Sequence, residues 1–275
     1  MVETTHRLTL TSDRVIKRFR SWDQGEPGRE WAGLVLLQRY APGCAPRPLE
    51  RRTEDGAPAI VMTRLPGEPL GAGPLTPDQL AALSRALRVM HEAVPAEALA
   101  RLPERRWGPA ELWPTVRAWA AEPAATPGRT IAAALRAAGA WLGSADAAAC
   151  GGPLAERVFA HADGNAGNFI WDGAQCGVVD FEDCGISDPA YEAADLIEHA
   201  SVSLPGLIDP DDFLAALGFS RGRRERLLRF RRLMATYWLL MLLPGHPGHA
   251  RNPPGSLDRQ AARVLGLLAR RGWPR

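Results

Sequence analysis

Apolar and polar positions alternate at the start of the chain, with Leu8 and Leu10 ahead of Ser12-Asp13 and then Val15 and Phe19 flanking Ile16-Lys17. Period-two patterning around two turn-forming residues predicts a β-hairpin. The segment REWAGLVLLQRY, closed by Pro42 and Gly43, carries apolar residues at helical spacing (Trp31, Leu34, Val35, Leu37) and predicts a helix. APAIVMTRL reads as a strand broken by Pro66-Gly67. From Thr76 the texture changes. TPDQLAALSRALRVMHEAV opens with a capping Thr and a Pro at the first helical position. Ala- and Leu-rich helical stretches follow around residues 110–122, 128–148, 191–202, 210–217, 221–243 and 256–270. They are interrupted by VFAHADGNAGNFIWDGAQCGVVDFEDCG, which reads as short strands and loops. The expected architecture is α+β, a small sheet-plus-helix lobe (residues 1–66) ahead of a larger, mainly helical lobe (67–275), with LPGEPLGAGP as the hinge.

Composition narrows the classes. With 275 residues, 46% hydrophobic and 23% charged, the chain can bury a sizeable core in one large domain or two unequal lobes. A net charge of +2 gives no electrostatic ground for a nucleic-acid partner. The basic stretch RGRRERLLRFRR carries Leu227, Leu228, Phe230 and Leu233 at helical spacing, so an amphipathic helix with arginines facing water is expected there. The longest apolar run, Tyr237 to Leu243, ends at Pro244, far short of the ~20 residues a membrane span needs. Four scattered cysteines without a C-x-x-C pair suggest reduced thiols, and the N-terminal segment lacks a signal-peptide core, so a cytoplasmic protein is expected. Among 33 basic residues Lys17 is the only lysine. An ammonium on a flexible stem is a different tool from a planar guanidinium, and its retention singles Lys17 out.

The densest chemistry lies in HADGNAGNFIWDGAQCGVVDFED. Asn168 follows Asp163 by five residues, and Asp180 comes twelve later. Phe169-Ile170-Trp171 and Gly177-Val178-Val179 read as two strands joined at Asp172-Gly173, a hairpin that returns Asp180 beside Asn168. Two oxygen donors facing one point suit Mg²⁺. Asp163 is left to orient a hydroxyl and take its proton, and His161 to hold the loop or share in the chemistry. Phosphoryl transfer asks for this set, because its transition state is stabilised mainly by charge and positioning. A two-metal phosphoesterase on His161, Asp163 and Asp180 is the competing enzyme class, but it leaves Lys17 without a task.

HADGNAGN followed by VVDFED resembles the core motif and metal aspartate of the aminoglycoside phosphotransferase and choline kinase family, whose fold is like that of protein kinases. The resemblance implies a bilobal kinase-like fold, Asp163 as catalytic base, and Asn168 and Asp180 as metal ligands. VIKRF resembles the strand that bears the phosphate-binding lysine, which makes Lys17 that residue and Glu30 its ion-pair partner. PAIVMTRLPGEPL resembles the adenine-cradling strand and hinge through Met62 and Gly67. Implied with it are Mg²⁺, ATP or GTP as donor between the lobes, a small-molecule hydroxyl acceptor, and a monomer or homodimer with neither nucleic acid nor membrane as partner. An aminoglycoside-like antibiotic is the leading acceptor; a sugar, an amino alcohol or another metabolite, and a non-catalytic nucleotide-binding relative, are the alternatives. Glu182 and Asp183 are the candidate acceptor-binding acids, and Trp113 or Trp238 the candidate pocket aromatics. The chain departs from the family's usual His-Gly-Asp-Leu-His at Ala162, Gly164 and Asn165. Only 16 residues precede Lys17, so a short cover over the phosphates is expected.

Overall fold

The computed structural model describes residues 6–71, 73–122 and 128–272. The chain forms two compact units, Met1–Arg106 with Arg157–Ser187, and Trp107–Glu156 with Asp188–Arg275. This grouping differs from a division at residue 66, because the strands after residue 157 pack with the N-terminal ones. Residue 72 of the expected hinge lies outside the described residues.

In the first unit, β1 (Arg7–Leu10) and β2 (Arg14–Arg18) form the expected hairpin. Its turn is held by the Thr11 hydroxyl, which accepts from Arg14 N at 3.0 Å. The antiparallel sheet runs β1-β2-β4-β3, with β3 at Pro48–Glu54 and β4 at Ala57–Thr63. Helix α1 spans Glu26–Tyr40, three residues earlier than expected, because Pro27 falls in the first turn, where its missing N–H costs nothing. It packs on β3 and β4 and buries Glu30, Leu34 and Leu37. Below it run β5 (Glu68–Pro69), β7 (Phe169–Trp171) and β8 (Cys176–Val178) in one sheet, and the pair β6 (Val158–Ala160) and β9 (Gly185–Ser187). Helix α2 (Pro77–Ala93) packs on β6 and β8, its start fixed by a reciprocal capping box between Thr76 and Gln79. A short α3 (Ala96–Leu99) completes the unit. Gly67 sits at φ +106°, and a Cβ there would lie 2.1 Å from the Trp171 carbonyl oxygen, so only glycine lets β5 lie against β7.

The second unit is helical among its described residues: α4 (Pro109–Ala120), α5 (Arg129–Leu142), α6 (Ala145–Ala148), α7 (Pro189–Glu198), α8 (Ala200–Ser203), α9 (Pro210–Leu217), α10 (Arg221–Met241), α11 (Pro247–Arg251) and α12 (Ser256–Ala269). The expected single helix over 128–148 breaks where Ser144 caps a new start. Helix α10 is the spine, packed on α4, α7 and α12. Its apolar residues Leu227, Leu228, Phe230 and Leu233 are buried as expected, but its arginines do not simply face water. Arg231 is 3% exposed and meets Glu198 at 2.6 Å, Arg226 meets Asp188 at 3.1 Å, and Arg229 and Arg232 share Asp146. Carboxylates from other elements of the unit turn a basic stripe into internal ion pairs. No described helix is long and apolar enough to cross a membrane.

Candidate active site

Lys17 and Glu30 come from neighbouring elements of one small layer. Lys17 is the fourth residue of β2, on the sheet face that also carries Val15 and, across the register, Ile60 and Met62 of β4. Glu30 lies in the second turn of α1, the helix packed on that sheet. The ammonium is 4% exposed, lies 4.9 Å from the Phe19 ring centroid, and donates to Glu30 Oε2 at 2.7 Å, to Glu182 Oε2 at 2.7 Å and to Asp180 Oδ1. Burial opposes its charge, yet the carboxylates of Glu30, Asp180 and Glu182 outweigh that penalty and hold the Lys17 pKa above the ordinary lysine value. Burial likewise pushes the Glu30 carboxyl up, against the pull of Lys17.

The acidic side of the site comes from the loops flanking β7 and β8. Asn168 Nδ2 donates to Asp163 Oδ2 at 2.7 Å, and Asn165 N donates to Asp163 Oδ1 at 2.9 Å, so both oxygens of Asp163 are aimed. The Val179 N–H donates to the Asn168 carbonyl at 2.9 Å, which sets the chain entering Asp180 beside Asn168. The predicted hairpin is present as the antiparallel pair β7–β8. Asp180 takes φ +72°, a left-handed conformation that aspartate tolerates better than most residues. Ala162, before Asp163, takes φ +76°. That is the position where the family's usual motif has glycine, and the alanine carries the strain instead.

His161 is buried, with Nδ1 2.9 Å from the Asp163 carbonyl oxygen and Nε2 2.7 Å from that of Val179. Its ring stands edge-on to Phe181 at 5.0 Å and Phe169 at 5.8 Å. The two nitrogens face main-chain oxygens of the two site loops, and in the neutral ring the one that carries hydrogen donates. The ring thus lies between the two loops it was expected to hold.

Met62 is buried, on the Lys17 side of the sheet. Glu182 Oε2 receives Lys17 and lies 2.6 Å from His6 Nε2. The Arg20 N–H donates to His6 Nδ1 at 3.2 Å, which leaves Nε2 as the nitrogen carrying hydrogen toward Glu182. Burial works against the charge of Glu182, but the His6 hydrogen bond and Lys17 pull its carboxyl down to about 2. Asp183 has its carboxyl raised, by burial first and then by the charge of Glu182, with Arg105, Arg106 and Arg29 opposing. Two contributors had escaped sequence reasoning. His6 was overlooked, although continuing the hairpin register one step past Arg7–Arg18 sets it opposite Phe19, whose ring lies 4.7 Å away. Buried Arg105, whose Nη2 donates to the Ala162 carbonyl at 2.8 Å, gave no local signal.

The donor set fits a hard divalent cation. Glu30, Asp180 and Glu182 each offer an oxygen within 4.8 Å of the others, and Lys17 is the one ammonium among them. Asn168 uses its amide N–H on Asp163 and keeps its carbonyl oxygen as a donor.

Over residues 4–228 the chain matches the phosphotransferase enzyme family model, and it belongs to that family. It is thus a phosphotransferase by class, as the motif resemblance implied. Among solved structures, the choline/ethanolamine kinase family protein from Mesorhizobium loti is similar at TM-score 0.64 and 17% identity, covering 98% of this chain and 87% of that one. A spectinomycin phosphotransferase in complex with ADP and spectinomycin is similar at TM-score 0.63 and 14% identity (97% and 89% covered). A choline kinase from Streptococcus pneumoniae is similar at TM-score 0.60 and 16% identity (98% and 91%). At these identities the likeness is one of fold, and it is the kinase-like α+β fold expected. No curated protein sequence matches the chain significantly.

Proposed function

We propose that the protein transfers the terminal phosphoryl group of ATP or GTP to a hydroxyl of a small molecule, with Mg²⁺ bound by Asp180 and Asn168. The observation that carries this reading is the buried Lys17, shared by Glu30 on the helix and Asp180 on the loop, together with Asp163 aimed by Asn168. A bound divalent ion would neutralise charge on the transferring group. The remaining work falls to side chains. Lys17 exchanges a carboxylate for a phosphate oxygen and keeps Glu30, which sets its direction. Asp163 orients the acceptor hydroxyl and takes its proton. His161 and Arg105 keep the Asp163 loop in its strained form. Met62 and Val15 share the Lys17 face of the sheet and offer an apolar surface for the purine. Residues 1–66 act as the nucleotide-binding part and 67–275 as the catalytic and acceptor-binding part of a cytoplasmic monomer or homodimer.

For the acceptor, an amine-bearing molecule of the aminoglycoside kind remains the leading candidate. An amino alcohol is favoured by one observation in the helical unit. Trp119, Tyr237, Trp238, His199 and His246 are all half-buried and lie ring against ring, with Trp238 4.7 Å from His199 and 5.4 Å from Tyr237. Such faces attract organic cations. Nucleotide consumption against a panel of aminoglycosides, amino alcohols and sugars tests the reading. Asp163→Asn should lower turnover by about 10²–10⁴-fold while nucleotide still binds; turnover untouched by that change would overturn the mechanism.

A further inference from the structure

Register partners on adjacent strands share a face, and successive residues alternate between faces. Leu8 and Lys17 therefore share one side of the β1–β2 hairpin, and Arg7 and Arg18 the other. Like charges placed directly opposite each other destabilise a ladder, so the Arg7–Arg18 pairing is a cost with no return inside the sheet. Arg20, two residues beyond Arg18, adds a third guanidinium. The three line one cavity of ≈ 490 Å³ together with Trp22 and the turn at Asp55. Among the described residues a single carboxylate answers them, Asp55, at 2.6 Å from Arg18 Nη1. Three positive groups against one negative leave a local charge of +2. Among the described residues, the guanidiniums of Arg7 and Arg20 have no hydrogen-bond or ion-pair partner. Trp22 is 42% exposed at the same cavity.

We propose that this cavity is a second anion site, on the side of the hairpin away from Lys17, for a small molecule bearing a phosphate or pyrophosphate group. Guanidinium forks match phosphate oxygens in pairs. A doubly charged phosphate offsets the surplus of two and removes the repulsion between Arg7 and Arg18. The volume accommodates more than the anion alone, and the exposed indole supplies a face on which a flat ring can stack. The site needs no divalent ion. The Lys17 centre has three carboxylates around one ammonium and repels a free anion until a metal is present.

That contrast sets the experiment. Inorganic pyrophosphate is titrated calorimetrically into the full-length protein in EDTA. One site is expected, weakened at least about tenfold in the Arg7→Gln/Arg20→Gln variant, since hydrogen bonds to charged groups are worth roughly that factor each. The double variant retains the Arg20 main-chain N–H that serves His6 and loses a like-charge contact, so it should melt no lower than wild type. Adenosine monophosphate and ribose 5-phosphate distinguish the ligand's source. Tighter binding of the former that disappears in Trp22→Ala assigns a nucleotide, and equal affinity assigns the phosphate alone. Absence of metal-free pyrophosphate binding, or binding that the double variant leaves unchanged, overturns the proposal. Neither result bears on phosphoryl transfer at Lys17, which is read with metal and nucleotide present.

Discussion

Replacing Lys17 by Met keeps the apolar stem over Phe19 and deletes only the ammonium. Any account of the site loses activity with it; stability separates the accounts. Glu30 is 1% exposed, and its Oε2 loses its partner. Asp180 and Glu182 are then left facing it with ligand oxygens within 4.8 Å. Removing one partner of a buried ion pair costs about 3–5 kcal/mol. At roughly 2–4 °C per kcal/mol for a chain of this size, the variant should melt roughly 6–20 °C below wild type at about pH 8. The pH dependence carries the sign. Without Lys17, burial raises the Glu30 carboxyl above the ordinary 4.5 with nothing to oppose it. A carboxyl raised on folding costs stability above its unfolded value, and the cost recedes as pH falls and it takes up its proton. The deficit should therefore shrink toward about pH 5. In wild type, Glu182 is depressed from 4.5 to about 2, so its contribution is complete above 4.5 and fades only as pH falls toward 2. In wild type Lys17 pulls against the rise of the Glu30 carboxyl and Glu182 has the opposite pH dependence, so wild type should gain less on acidification than the variant. Melting followed by circular dichroism at several pH values decides the matter. A variant within roughly 2 °C of wild type, or a deficit equal at both ends of the range, would refute a charge-balanced cluster.

Three further outcomes follow from other parts of the molecule. Ala162→Gly should relieve about 1–2 kcal/mol of left-handed strain at a backbone-entropy cost of about 0.5–1 kcal/mol, for a net gain of up to ~1.5 kcal/mol in urea unfolding, with Asp163-dependent turnover intact. Glu198 is 0% exposed between Arg231 and Arg263, so Glu198→Gln should cost about 3–5 kcal/mol in the same assay, far more than a surface ion pair. Gly67→Ala should lower the melting temperature and the yield of folded protein, since its Cβ meets the Trp171 carbonyl.

Elements whose signal is local were legible. The turn at Thr11–Asp13, the Thr76 cap and the Asp172 turn each satisfy their own backbone within a few residues, as when Asp172 Oδ1 receives Ala174 N at 2.8 Å and Gln175 N at 2.7 Å. β3 escaped notice because PLERRTE is an edge strand, largely exposed and charged, shaped by its pairing with β4 rather than by its own alternation. At the site, Lys17, Asp163, Asn168 and Asp180 could be picked out by residue type and spacing, and Glu30 only through the family resemblance. Glu182 could not be sorted from Asp183 in that way, since both are acids at one loop. Only the packing of His6 and Lys17 against the first decides its partner. The arginines of α10 misled for the same reason: their carboxylate partners lie 33 to 86 residues away in the chain.

The bond between Lys17 and Asp180 closes a loop of 163 residues within a unit made of two separate stretches of chain. During synthesis at roughly 5–20 residues per second, Lys17 waits roughly 8–30 s for the carboxylate on the far side of that loop. The whole segment 107–156, which belongs to the other unit, emerges in the meantime. A nascent chain halted ahead of Asp180 carries its only lysine with neither that aspartate nor Glu182 to receive it. Its first unit also lacks strand β9. Completion of that unit is therefore a late event of translation, and chains released early should be recognised as unfinished by the cell's proteases.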